Sequence, residues 1–499
     1  MPAFAPLPLG QRIPDSPHAV SCSLPTLRAV RGYEEKDPAI ARAVQTGYPR
    51  FVVHPFLQQL AAHIASRHDL ADHTLWLASS GRVADRLSAH LGRAQVIRLE
   101  HDALPVVAHP ARPELAARAK LFLQNTGGFL SSRAAEDALV RAGLLAAAAP
   151  EPLFAGDAAG ELRRHLTPLF PGAGDGDLFP ASCGMSAIDA AFRAVSELQA
   201  ARGRTIWIQL GWLYLDTIAI LKKFTATPGD YIYINDVFDL AALEKLFAEK
   251  GDRIAGVFAE VPTNPLIQVP DVAAIAALAR HHGATVLLDP TISSAFAIDV
   301  FPHSDILVTS LTKYAASEGD LIAGLTVVNP AAADAALLRR SLASKIEPLY
   351  ARDLARLAAE IGEAPATLAQ IQASVPRVAA FLETHPGVKE VFWAHHPASR
   401  ENYLRIARSP DAVGSMITFT LRGSLERFYD RLRLAKGPSF GMKTTLICPF
   451  MYLAHYDLVT TPAGRAELAS CDLDPELLRL SIGTEPADEI ITALAEALA

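Results

Sequence analysis

Between Cys183 and about residue 330 the sequence alternates apolar, β-rich runs with stretches of helical period, and this alternation limits the possible folds more than any other feature. SAIDAAFRAVSELQAARG leads into TIWIQL. DYIYIND is followed by DLAALEKLFAEKG and IAGVFAEV by DVAAIAALARHHG. TVLLDP, ILVTS and LIAGLTVV complete the set. Strands that are apolar on both sides need cover on both faces, and the intervening helices supply it. The pattern predicts βαβ units and a mostly parallel sheet, an α/β fold. Ligands of such sheets sit beyond the carboxyl ends of the strands.

The strand ends carry the chemistry. SLTKYAASEGD follows ILV and places Lys313 beside Ser310 and Thr312. A single lysine there is either a snorkelling surface residue or a group held for reaction. Asp289 follows TVLL, Glu260 and Asn264 follow IAGVF, and Gly184 and Met185 open a helix at SCGMSAI. Taken singly, each has a local explanation. Asp289 before Pro290 and Asn264 before Pro265 both suit a turn start, and SCGMSA suits a helix cap. Taken together they describe an anion cradle at a helix N-terminus, a carboxylate and a lysine. Pyridoxal 5'-phosphate (PLP) needs those three parts: an amine for its aldehyde, an acid for its pyridine nitrogen and a cup for its phosphate.

Composition excludes other classes. The net charge of -7 argues against binding nucleic acid through phosphate contacts. Cys22, Cys183, Cys448 and Cys471 are far apart and form no CxxC pair, so neither a zinc ribbon nor a disulfide scaffold is expected and no metal site is assigned. The N-terminus MPAFAPLPLGQRIPDS lacks the charged and apolar regions of a secretory signal, and AGLLAAAAP is too short to span a bilayer. These features point to a cytoplasmic protein that binds neither nucleic acid nor membrane.

Four regions are expected. Residues 1–58, rich in proline at the start, read as an extended arm that needs a partner surface for order. Residues 59–170 carry their own βα pattern and read as an inserted α/β subdomain. Its strand candidates are HTLWLASS, AQVIRLE and KLFLQNTG, and its helix candidates RVADRLSAHLG and SRAAEDALVRAGLL. Residues 171–334 form the large ligand-binding domain. Residues 335–499 read as a smaller α+β domain with strands near SMITFTLRG and LRLSIG. GAGDG, within PLFPGAGDGDLFPAS, superficially suggests a phosphate loop but lacks a flanking strand and helix.

In order along the chain, SCGMSAI, YLDT, EVPTNP, HHGATVLLDPT, SLTKY and RLSIGTE resemble the Cys/Met-metabolism group of PLP enzymes, the cystathionine γ-synthase-like family. The spacing from Gly184 to Lys313 fits as well. IPDSPHAVSCSLPT, GYPRF, SSRAAEDAL, KGPSFG and CPFMYLAHY most resemble the long cystathionine γ-synthases of fungi. The resemblance implies the PLP-dependent transferase fold of type I, the aspartate-aminotransferase-like fold. It implies that Lys313 binds the cofactor and moves protons, that Asp289 pairs with the pyridine nitrogen, and that Tyr214 stacks on the ring and helps proton transfer. Gly184, Met185, Ser310 and Thr312 would hold the phosphate, with Thr291 and Asn264 also near the cofactor. Arg479 would grip the substrate α-carboxylate and Ser439 would orient the lysine or substrate. Tyr48 and Arg50 resemble a Tyr-x-Arg clamp reaching a neighbouring subunit's phosphate, which implies a homo-oligomer, at least a dimer and by family habit a tetramer.

The sequence departs from the family in four places, one of them at Ser317 and Glu318, where many members have Gly-His and where the loop would shape subunit contacts differently. Residues 60–170 are additional. LGWLYLDTI replaces the usual Tyr-Gly-Gly-Thr, and Pro438 stands where a glutamate is usual. The resemblance implies γ-replacement on an activated homoserine ester with cysteine, giving cystathionine. Pro438 leaves open a γ-lyase, a sulfhydrylase or another nucleophile, and a non-catalytic PLP-binding protein is a further alternative.

Overall fold

The computed structural model describes residues 4–49 and 51–499. Its centre is a seven-stranded sheet. The strands lie in the spatial order Leu178–Ala181, Gly324–Val328, Ile306–Thr309, Thr285–Asp289, Ile254–Glu260, Ile206–Leu210 and Tyr231–Ile234. The pairings are parallel except along both sides of Gly324–Val328, so one strand runs against the other six. Helices on both faces bury the sheet. Gly184–Ala200 packs beneath it, and the strands Ile254–Glu260 and Thr285–Asp289 are buried along their whole length. This is the α/β sheet that the alternation predicts, and it is the type I fold of PLP-dependent enzymes. The edge strand Leu178–Ala181 is part of a segment that reads from sequence as loop by its Gly, Asp and Pro content; Pro180 is tolerated because the strand lies at the sheet edge.

The C-terminal region adds a five-stranded sheet in the order Val388–Trp393, Met416–Leu421, Leu478–Ser481, Leu446–Pro449 and Ala435–Lys436. The helix Ala364–Thr384 packs on it, and Ala487–Leu498 packs against that helix and Leu425–Arg431. Residues 55–141 build a separate unit with its own apolar core. It has a three-stranded antiparallel sheet, His73–Leu77, Leu104–Pro110 and Ile97–His101, flanked by four helices. KLFLQNTG, expected as a strand there, is the end of the helix Pro113–Thr126. Leu115, Ala119, Phe122 and Leu123 recur at helical spacing and are buried, Pro113 opens the helix, and Gly127 closes it in the left-handed region at φ 64°. The strand that the sheet uses is LPVVAHP, buried through its middle.

The arm is less extended than its prolines suggest. It contains the helices Leu27–Glu34 and Pro38–Ala43, each capped at its start by the side chain of Thr26 or Asp37. It lies on its own chain. Leu24 N donates to Lys436 O at 2.8 Å, Lys436 Nζ to Pro25 O at 2.8 Å, and Val20 N to Gly319 O at 2.8 Å. Among the described residues no helix is long and apolar enough to cross a membrane.

Candidate active site

A cavity of about 230 Å³ opens at the carboxyl ends of the central strands. Lys313 lies in the loop after Ile306–Thr309, lines this cavity and is half-buried. Burial first, and then the positive charge of Arg479, hold its amine well below the usual lysine range. The amine donates to Ser439 Oγ at 3.4 Å and lies 4.1 Å from the centre of the Tyr48 ring. The Tyr48 hydroxyl meets the same Ser439 Oγ at 2.5 Å. Ser439 makes both contacts from a backbone φ of 91°, a conformation that costs a side-chain-bearing residue about 1–3 kcal/mol. The KGPSFG turn is held in place: Pro438 O accepts from Ser21 Oγ at 2.5 Å, and Gly441 O from Tyr314 N at 2.9 Å.

Asp289 ends its strand inside the cavity. One carboxylate oxygen accepts from Thr291 N at 2.9 Å and from the Thr291 hydroxyl, and the Ser310 amide in turn donates to that hydroxyl at 3.0 Å. Burial raises the Asp289 carboxyl to about 6, against the lowering effect of the Thr291 bonds. Glu260 faces Asp289 in strand register, lines the same cavity and accepts from Tyr214 N at 2.5 Å. Burial and the Asp289 charge push Glu260 well above the usual carboxylate range. Sequence reading noted Glu260 at a strand end but gave it no role. Its signal was positional: two carboxylates at the ends of adjacent parallel strands.

The helix Gly184–Ala200 points its N-terminus at the cavity, and Cys183 caps it by accepting from Ser186 N at 3.3 Å. Gly184 and Met185 line the opening. A Cβ on Gly184 would meet the Ser310 Cβ at 3.1 Å, so glycine permits the close approach of the Ser310 loop. The Thr312 hydroxyl donates to Ala323 O at 3.2 Å and accepts from Ala323 N at 2.9 Å, which directs its proton at the backbone. Arg479 Nη1 donates to Asn264 Oδ1 at 3.2 Å, and the guanidinium carbon lies 5.0 Å from the Phe440 ring centre and 4.6 Å from that of Phe450.

Of the residues singled out from sequence, Tyr48, Gly184, Met185, Tyr214, Asn264, Asp289, Thr291, Ser310, Thr312, Lys313, Ser439 and Arg479 line this one cavity. Tyr48, expected to reach a neighbouring subunit, lies in the pocket of its own chain. Arg50 lies outside the described residues. The donor set fits PLP on the structure's own terms. There is a half-buried amine, a carboxyl with one oxygen held and the other unassigned by Thr291, and a helix N-terminus closed against a serine. The hydroxyl of Ser182, beside that N-terminus, is buried without a hydrogen-bond partner.

Sequence reading did not find the facing wall. Gly127 sits directly on the cradle, where a Cβ would meet Cys183 Sγ at 2.4 Å and Ser186 N at 2.5 Å. Beyond it Phe129, Leu130 and Arg133 line the cavity. Arg133 is 1% exposed and its three nitrogens all donate: Nε and Nη2 to Glu151, Nη1 to Asp353 at 3.2 Å and to Asp320 O at 3.0 Å.

Comparison with known proteins follows the same division. Residues 172–499 match the family described as Cys/Met metabolism PLP-dependent enzyme. An L-2-amino-4-chloropent-4-enoate dechlorinase/desaturase of Streptantibioticus cattleyicolor is 39% identical over 97% of both chains. The cystathionine gamma-synthase of Neurospora crassa is 26% identical over 99% of this chain and 98% of its own length. The solved structure of cystathionine gamma synthase from Xanthomonas oryzae pv. oryzae in complex with aminoacrylate and cysteine has the same fold. It superposes with a TM-score of 0.56 at 24% identity, covering 67% of this chain and 83% of that one.

Proposed function

This chain belongs to the Cys/Met metabolism family of PLP-dependent enzymes, and from that premise we propose that it eliminates a substituent from the γ-carbon of an L-amino acid, with L-2-amino-4-chloropent-4-enoate or a close analogue as substrate. PLP, once bound, supplies the electron sink that makes the Cα and Cβ protons removable. The overall step is redox-neutral. The bond from Cγ to its substituent breaks and its electron pair leaves with the substituent. A carbon–hydrogen bond gives up its proton, and one π bond forms.

The chain's own residues divide the remaining work. Asp289 would hold the pyridine nitrogen with its free oxygen, and Tyr214 would stack on the ring. The N-terminus of Gly184–Ala200, with Ser310, would hold the phosphate. Arg479, steadied by Asn264, would bind the α-carboxylate in a bidentate pair. Lys313, with a depressed pKa, is suited to take protons near neutrality and to return them. Ser439 and Tyr48 fix where its amine points.

The observation that carries elimination over replacement is the polarity of the pocket. Cysteine as a second substrate brings an ammonium and a carboxylate that need partners. Apart from Lys313 and Arg479, the cation lining the cavity among the described residues is Arg133, which is spent on Glu151, Asp353 and Asp320. The 39% identity to a dechlorinase/desaturase supports the same reading. The full-length similarity to fungal cystathionine γ-synthases favours a second reading, replacement by cysteine to give cystathionine. The test is to mix PLP-loaded protein with L-2-amino-4-chloropent-4-enoate or with each homoserine ester, with and without cysteine. Chloride release is followed, and products are identified by mass spectrometry. Elimination products whose rate ignores cysteine support the proposal. Cystathionine as the main product refutes it in favour of replacement.

A further inference from the structure

The cavity has two walls of different origin. The lysine wall comes from residues inside the family match. The facing wall comes from the arm and the inserted subdomain, outside that match: Phe51, Val53, Leu57, Leu123, Phe129 and Leu130. It is apolar and fixed. Leu130 N donates to Leu77 O at 3.1 Å and Ser79 N to Gly128 O at 2.9 Å, which adds this segment to the edge of the small sheet. The Phe129 ring packs 6.1 Å from that of Trp76. Gly127 is wedged against Cys183 and Ser186 at one end, and buried Arg133 anchors the other.

Charge points the same way. The side chains lining the cavity include five acids, Asp216, Glu260, Asp289, Asp320 and Asp353, and three bases, Arg133, Lys313 and Arg479, with Glu260 and Lys313 both pushed toward their neutral forms. Asp216 is held by Gln124 and Asn125, each at 2.8 Å, and Asp353 by Arg133. His18 and His54, also in the lining, are kept neutral by burial. An anion placed against these six side chains loses its water and meets no free cation among the described residues, and the polar side chains of the same segments are already engaged, Gln124 with Asp216, Ser131 with Ala134 N and Ser132 with His18, whereas a neutral apolar group gains from the same burial.

We propose that this second wall is the substrate selector: it receives an uncharged, apolar substituent at or beyond Cγ and turns away an anionic one. The proposal rests on the γ-elimination reading for the reaction but not for the choice of ligand. Among homoserine esters it singles out the acetyl ester over the succinyl and phosphoryl esters, and it places L-2-amino-4-chloropent-4-enoate with the preferred class.

The experiment uses PLP-loaded full-length protein with these four amino acids. Dissociation constants come from titrating the visible absorbance of the bound cofactor, and kcat and KM from release of the substituent. The wild type is expected to bind the neutral pair at least tenfold more tightly than the anionic pair. Val53→Arg, at a half-buried wall position, is expected to shift that ratio at least tenfold toward the anions, mainly through KM, with PLP loading unchanged. Phe51→Arg, also half-buried, carries the same test if Val53→Arg does not fold. Equal or tighter binding of the succinyl or phosphoryl ester by wild type, or an unchanged ratio in a folded arginine variant, overturns the selector. Binding selectivity without release of any substituent supports the selector and overturns the elimination reading, so the two fail separately.

Discussion

The position of Tyr48 leads to a decisive mixing experiment. Its ring lies 4.1 Å from the Lys313 amine and its hydroxyl 2.5 Å from Ser439 Oγ, all within one chain. Removing the ring in Tyr48→Ala takes away one hydrogen bond, worth about 1 kcal/mol, and the contact of the ring with the half-buried Lys313 amine, worth about 1 kcal/mol more. The expected loss of kcat/KM is about thirtyfold, from about 2 kcal/mol. Lys313→Ala is expected to abolish turnover. The two variants are then mixed after reversible dissociation, or produced together from separately tagged genes. When each chain builds its own site, every site in a hybrid carries one lesion, and activity stays at the Tyr48→Ala background. When the tyrosine crosses to a neighbour, half of the dimers are hybrids and one of their two sites is intact, restoring about 25% of wild-type activity. That margin over a background of a few per cent is wide. Recovery near one quarter would falsify the within-chain arrangement.

Other consequences are measurable. Arg133→Met leaves Glu151 and Asp353 buried with less compensation. Because Arg352 still holds Glu151 at 2.6 Å, the low end of the usual cost applies, about 3 kcal/mol in a urea unfolding curve, and a cost below about 1 kcal/mol contradicts the buried-network argument. Arg479→Met removes a positive charge that lowers the Lys313 pKa. The pKa therefore rises, the neutral amine is lost at higher pH, and the pH below which apo-protein stops taking up PLP moves upward; an unmoved profile rules out the coupling. Asp289→Asn keeps the shape but loses a charge-assisted bond to the pyridine nitrogen, so PLP retention on dialysis should fall about tenfold or more, from roughly 1.5–3 kcal/mol.

Much of the central sheet was legible because burial on both faces writes itself as unbroken apolar runs such as IAGVFAE and TVLLD. The strand ends were legible for a related reason. A polar residue directly after such a run has to sit at the sheet's carboxyl edge, which is how the sequence places Lys313 and Asp289 together. KLFLQNTG was misread because a short apolar stretch does not reveal its period, and the apolar positions that decide it, Leu115 and Ala119, lie upstream.

The sequence alone therefore determined the sheet, its ligand edge and the residue types gathered there, since periodicity and order are local properties of the chain. What faces them depends on packing across the whole chain. The contact of Gly127 with Cys183, the reach of Tyr48 to Ser439 and the burial of Arg133 between Glu151 and Asp353 all join segments far apart in sequence. Such contacts are set by packing of whole elements against one another, and no local pattern records which element will arrive.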